Sequence, residues 1–67
     1  MNKQIFKGNW NQLKGTLKQK WGKLTDNDWK VVEGNQQEIY GIIQKHYGHP
    51  KEQVQKDIDS INRDWAA

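Results

Sequence analysis

Residues 8–22 read GNWNQLKGTLKQKWG, and residues 34–48 read GNQQEIYGIIQKHYG. With a shift of 26 positions, Gly8-Asn9 meets Gly34-Asn35, Leu13 meets Ile39, Gly15 meets Gly41 and Leu17 meets Ile43. Trp21-Gly22 then meets Tyr47-Gly48, and further on Val32 meets Ile58. Bulky positions inside each stretch recur every three or four residues, which marks one face of an α-helix. Each stretch ends at a glycine, the residue that most often supplies a left-handed helix stop. Neither period-2 alternation nor an Asn-Gly or Asp-Gly turn occurs, so strands have no support.

Each unit, about 8–33 and 34–59, therefore reads as a long helix, a glycine stop and a second helix. One helical hairpin cannot bury its own apolar stripe, so two must pack together. The expected fold is all-α: a four-helix bundle of two packed helical hairpins in a single domain, 1–67. An approximate two-fold axis would relate the halves, or the hairpins would stack as a short array.

Working outward, Phe6, Trp10, Leu13, Leu17 and Trp21 predict a first helix over about residues 4–21, with Gly22 as its left-handed stop. Thr25 reads as an N-cap, with Asp26 and Asp28 at the positive helix end. The second helix runs from Asp26 to about Gly34 and buries Trp29 and Val32. The third, about 35–47, presents Ile39, Ile42, Ile43 and Tyr47 and stops at Gly48. Pro50 suits the first turn of the fourth, where its missing N–H is not needed. That helix runs to about Trp65, with Val54, Ile58, Ile61 and Trp65 in one stripe that serves the core, pairing with a second chain being the alternative. Glu52/Lys56 and Asp59/Arg63 are the ion pairs expected on its wet side, worth about 0.2–0.5 kcal/mol each. Gly15 and Gly41 fall opposite the apolar stripe, where glycine costs about 1 kcal/mol relative to alanine. Close approach of a segment or ligand, local packing, or a relic of duplication are the readings open for them.

Composition bounds the rest. At 67 residues, a chain buries only about 60% of its unfolded surface, so every apolar face is needed. The mean hydropathy of −1.19 leans toward disorder. Four tryptophans, two tyrosines and one phenylalanine at helical spacing decide for a fold. With no cysteine, disulfides and thiolate metal sites are excluded. Residues 1–7 lack the apolar run of a signal peptide, and no run of roughly 18 apolar residues occurs. The expected setting is the cytoplasm, with no membrane span and a monomer rather than an oligomer. Charge is uneven: residues 1–23 hold six lysines and no acid, while 24–67 carry five basic and eight acidic side chains.

The run Gly8-Asn9-Trp10-Asn11-Gln12-Leu13-Lys14-Gly15 resembles the CsbD-like family of small bacterial general-stress proteins. So do Trp21-Gly22-Lys23-Leu24-Thr25-Asp26-Asn27-Asp28, Glu33-Gly34, Gly41 and Tyr47-Gly48. The resemblance covers about Lys7 to Asp57. It implies two orthogonally packed helical hairpins similar to the sterile-alpha-motif (SAM-domain-like) architecture. It also implies induction by stress and an unassigned molecular activity, with no catalytic residues to carry over. Asn35-Gln36-Gln37 and Lys45-His46 depart from the family pattern, which usually has a basic residue after Gly34 and tends to Glu-Arg before the tyrosine.

Candidate chemistry is sparse. Ser60 is the only serine and has no histidine at a suggestive spacing, so it reads as a polar helix position. His46 and His49 flank Gly48, but with Glu52 alone to help they fall short of a metal ligand set. Capping accounts for Asp26 and Asp28. No catalytic residue, cofactor or metal is expected, and the chain reads as a non-enzymatic stress-response protein acting by association or protection. The alternative is a nucleic-acid or anion-binding module, with an acidic partner, on the basic face of helix 1. There Lys3, Lys7, Lys14 and Lys18 fall within about 60° of one another on a helical wheel beside Trp10 and Trp21. Solvated lysines whose stems cover apolar surface are the plainer account of that stripe.

Overall fold

In the computed structural model, which describes residues 4–66, four α-helices follow one another. They are α1 (Trp10–Lys20), α2 (Asp26–Gly34), α3 (Ile39–Tyr47) and α4 (Lys51–Ala66). A 3-10 turn, Gln36–Glu38, leads into α3. The described residues contain no strand.

Helix α1 is shorter than its periodicity predicts, because it begins at Trp10. Gly8 holds φ +100°, which a helix does not contain. Asn9 is then the N-cap, its Oδ1 accepting from the Asn11 N–H at 3.0 Å. An asparagine that caps ends the helix at its own position. Phe6 still reaches the core, at 5% exposure, but from a non-helical segment.

The other boundaries follow from local chemistry. Trp21 ends α1, its N–H bonded to the Leu17 carbonyl at 2.8 Å. The expected left-handed stop at Gly22 is corrected: the glycines with positive φ are Gly8 and Gly48. A Cβ at Gly22 would instead meet the Lys18 carbonyl at 3.3 Å. Thr25 and Asp28 form a reciprocal capping box at the start of α2, with bonds of 3.1 and 3.0 Å. Gly48, at φ +71°, closes α3 with its N–H on the Gln44 carbonyl. Pro50 lies one place before α4, and its carbonyl accepts from the Gln53 and Val54 N–H groups.

One apolar cluster joins all four helices: Leu13 and Leu17 from α1, Trp29 and Val32 from α2, Ile39 and Ile43 from α3, Val54 and Ile58 from α4. Each is at most 2% exposed. Burial at this level stabilises by about 1.5–3 kcal/mol per large aliphatic side chain. Leu24, in the turn before α2, joins the same core. The stripe on α4 leaves the core toward its end, with Ile61 half-buried and Trp65 37% exposed. On its wet side neither expected ion pair, Glu52/Lys56 or Asp59/Arg63, forms among the described residues. Gln53 and Gln55 donate to Asp57 and Asp59, and Arg63 reaches Ser60.

Candidate functional site

The non-helical segment before α1 is held by two side-chain amides. Gln36, 4% exposed, is the buried polar residue of the core. Its Oε1 accepts from the backbone N–H groups of Ile5 at 2.9 Å and Phe6 at 2.8 Å. Asn62 on α4 accepts from the Lys7 N–H at 2.8 Å and donates to the Ile5 carbonyl at 2.8 Å. Together they satisfy the Ile5, Phe6 and Lys7 N–H groups and the Ile5 carbonyl, which no helix or sheet pairs. Trp65 covers the far end of this strap: a Cβ on Gly8 would stand 3.4 Å from its ring. Periodicity gives no warning of this arrangement. The sequence offers one signal, that Gln36 and Asn62 occupy the same place in the 26-residue frame.

That strap redistributes the residues singled out on the basic face. Lys3 lies outside the described residues. Lys7 is not helical, and it lines a cleft of about 410 Å³ with Ile5, Asp59, Asn62 and Arg63. Lys14 stays on α1 and pairs with Glu33 of α2 at 3.4 Å, while Lys18 one turn later is exposed. Exposed pairs of this kind contribute little stability. Trp10 is half-buried against Phe6, ring centroids 6.0 Å apart. Its Nε1 is buried without a protein partner. Lys14 and Lys18 therefore remain together on one helix, whereas Lys7 and Trp10 are drawn into the strap and its packing.

The histidines also take local roles. His46 Nε2 lies 2.8 Å from Asp28 Oδ2, the oxygen that caps Thr25. The Thr25 N–H is the chief cause that holds the Asp28 carboxyl below its ordinary value; partial burial opposes it and the His46 ring assists it. His49 stacks on Tyr47 at 5.8 Å. Among the described residues no three His, Cys, Asp or Glu side chains gather as a metal cluster.

The two tyrosines tie elements together. The Tyr47 hydroxyl accepts from the Lys23 N–H at 2.9 Å, closing the turn between α1 and α2 onto α3. Lys23 Nζ also sits 5.0 Å above the same ring. Tyr40 donates to Gln55 Oε1 at 2.6 Å across the α3–α4 packing. Burial, with the Asp59 charge second, pushes the Tyr40 phenol above its ordinary value. Gly15 and Gly41 are exposed, and nothing lies within 4 Å of where a Cβ would be on either. No neighbouring segment requires glycine there.

A helical chain whose polar side chains mostly cap, clamp and tie can be set beside known proteins. The CsbD-like family model matches residues 4–56. UPF0337 protein YjbJ of Escherichia coli O6:H1 is 48% identical over 60 residues, covering 90% of this chain and 87% of the relative. YjbJ of Salmonella typhimurium is 48% identical over 58 residues, covering 87% and 83%. UPF0337 protein RPA4217 of Rhodopseudomonas palustris is 51% identical over 58 residues, covering 87% and 82%. No solved structure is a significant match. Since the family model takes in most of the chain, and relatives at about half identity take in nearly all of it, this protein belongs to the CsbD-like family.

Proposed function

We propose that this chain is a non-enzymatic protein of the bacterial general stress response that works by association or protection in the cytoplasm. The observation that carries the reading is the family match over residues 4–56, with the stress role that the resemblance implies. The side-chain chemistry supports it. His46 is engaged by a capping carboxylate. Ser60 accepts from Arg63 at 3.5 Å. A nucleophile needs a base and an orienting group in hydrogen-bond reach. No helix among the described residues is long and apolar enough to cross a membrane.

The paired-hairpin arrangement, as one domain over 1–67, belongs to the same proposal. Asn9 and Asn35 cap the two units alike, each Oδ1 accepting from the N–H two residues on. Leu13 and Ile39, Leu17 and Ile43, and Val32 and Ile58 are buried at matching places. Those matches are what a duplicated hairpin would leave behind.

Drying or heating a labile enzyme beside this protein tests the protective role. The enzyme is expected to keep more activity than with an equal mass of albumin; equal or poorer protection overturns the reading. Binding of nucleic acid through Lys7, Lys14, Lys18 and Trp10 is the competing reading, and no observation favours it. Titration of DNA and RNA at two salt concentrations separates the two, because phosphate binding falls steeply with salt.

A further inference from the structure

The strap is joined to the rest of the molecule by contacts remote in sequence. The hydrogen bonds to Ile5, Phe6 and Lys7 come from side chains 30 to 57 positions away. Helix α1, by contrast, is capped by Asn9 and starts after the strap has ended. Between the two stands Gly8 at φ +100°. A change of dihedral angle at this glycine would swing the strap away without disturbing the α1 cap.

The clamps also read main chain. Gln36 takes two N–H groups, and Asn62 takes one N–H and one carbonyl. A second copy's strap presents the same groups in the same order, with the same phenylalanine between them. Leaving the groove empty would expose the core where Phe6 sits and leave Gln36 without its two donors. A strap from another copy restores each of those contacts.

We propose that residues 4–7 form an exchangeable strap, and that two copies trade straps reciprocally through the Gly8 hinge to give a closed, two-fold dimer. Exchange of an identical element is a low-cost route to dimers, and hinge changes promote it. At low concentration the strap docks on its own chain, because a short linker gives an effective concentration on the order of millimolar. Exchange becomes competitive as the protein approaches that concentration during refolding.

Gly8→Ala is the direct probe, since any L side chain at φ +100° is strained in the closed form. Wild type and G8A are refolded from denaturant at millimolar concentration and analysed by sedimentation. The G8A dimer fraction is expected to exceed that of wild type about tenfold, as it would if closure lost about 1.4 kcal/mol. Inserting two glycines after Gly8 should lower it again by easing closure. In a mixture of isotope-labelled and unlabelled chains, the dimer should show magnetisation transfer between Phe6 of one copy and Trp10 of the other. These rings sit 6.0 Å apart within one strap site. Monomers throughout, or a dimer lacking that intermolecular signal, overturn the proposal. Should G8A fail to fold, wild type refolded at millimolar concentration decides by the same two criteria.

Discussion

Gln36 and Asn62 meet on Ile5 and between them hold three residues: Gln36 accepts the Ile5 and Phe6 N–H groups, while Asn62 bridges the Ile5 carbonyl and the Lys7 N–H. One amide sits in the 3-10 turn before α3 and the other near the end of α4. The strap therefore couples the start of the chain to its second half, and with it brings Phe6 into the core.

Truncating Gln36 should be costly for a residue with so little apolar surface. Gln36→Ala leaves two backbone donors without their acceptor, each worth about 1–3 kcal/mol when buried. The expected loss is about 2–4 kcal/mol, read from urea unfolding. Hydrogen exchange should show the Ile5 and Phe6 amides losing protection well before those of α3. Equal loss across the whole chain would contradict a local clamp.

Gly15→Ala and Gly41→Ala should be neutral or stabilising, by up to about 1 kcal/mol each. Both sites are helical, exposed and open where the Cβ would go. The control is Gly48→Ala, which forces alanine into φ +71° and should destabilise by about 1 kcal/mol. Thermal melting of the three variants checks both signs at once. Destabilisation at Gly15 or Gly41 would point to a surface need that the fold does not display.

Asp28 sets an acid limb. Its carboxyl is held below its ordinary value, chiefly by the Thr25 N–H, so the unfolded chain binds the proton more readily than the native one. Stability from this group is present above the unfolded pKa, about 3.9, and is lost as pH falls through the depressed native value. Asp28→Asn should flatten that part of the stability profile below about pH 4. Urea midpoints in this window, compared with wild type, are the measurement. An unchanged slope would assign acid sensitivity to other carboxylates.

Tyr40 sets the alkaline counterpart. Burial, then Asp59, raises its phenol above the ordinary value. The native state favours the protonated form, so this contribution is complete below about pH 10 and fades as pH rises through the raised value. Absorbance titration near 295 nm should show a late-ionising phenol that disappears in Tyr40→Phe. The same variant removes the 2.6 Å bond to Gln55 and should cost about 0.5–1.5 kcal/mol.

Local chemistry made much of the fold legible in the sequence. Helical spacing identified the four helices, and the Thr25 cap and the Gly48 stop fell where they were expected. Leu13, Leu17, Ile39 and Ile43 lie in the core because periodicity and burial share one cause. Such features depend on neighbours within a turn or two, so a linear reading reaches them. Tertiary contacts decided the rest. The stretch before Trp10 carries Phe6 in helical register, yet it is not helical, and Gln36 and Asn62 meet its backbone from 30 to 57 positions away. With Lys7 outside α1 and Lys14 beside Glu33, the single basic face drawn on a helical wheel is divided. Periodicity describes the chain against itself, and a hydrogen bond between distant residues leaves no period to read.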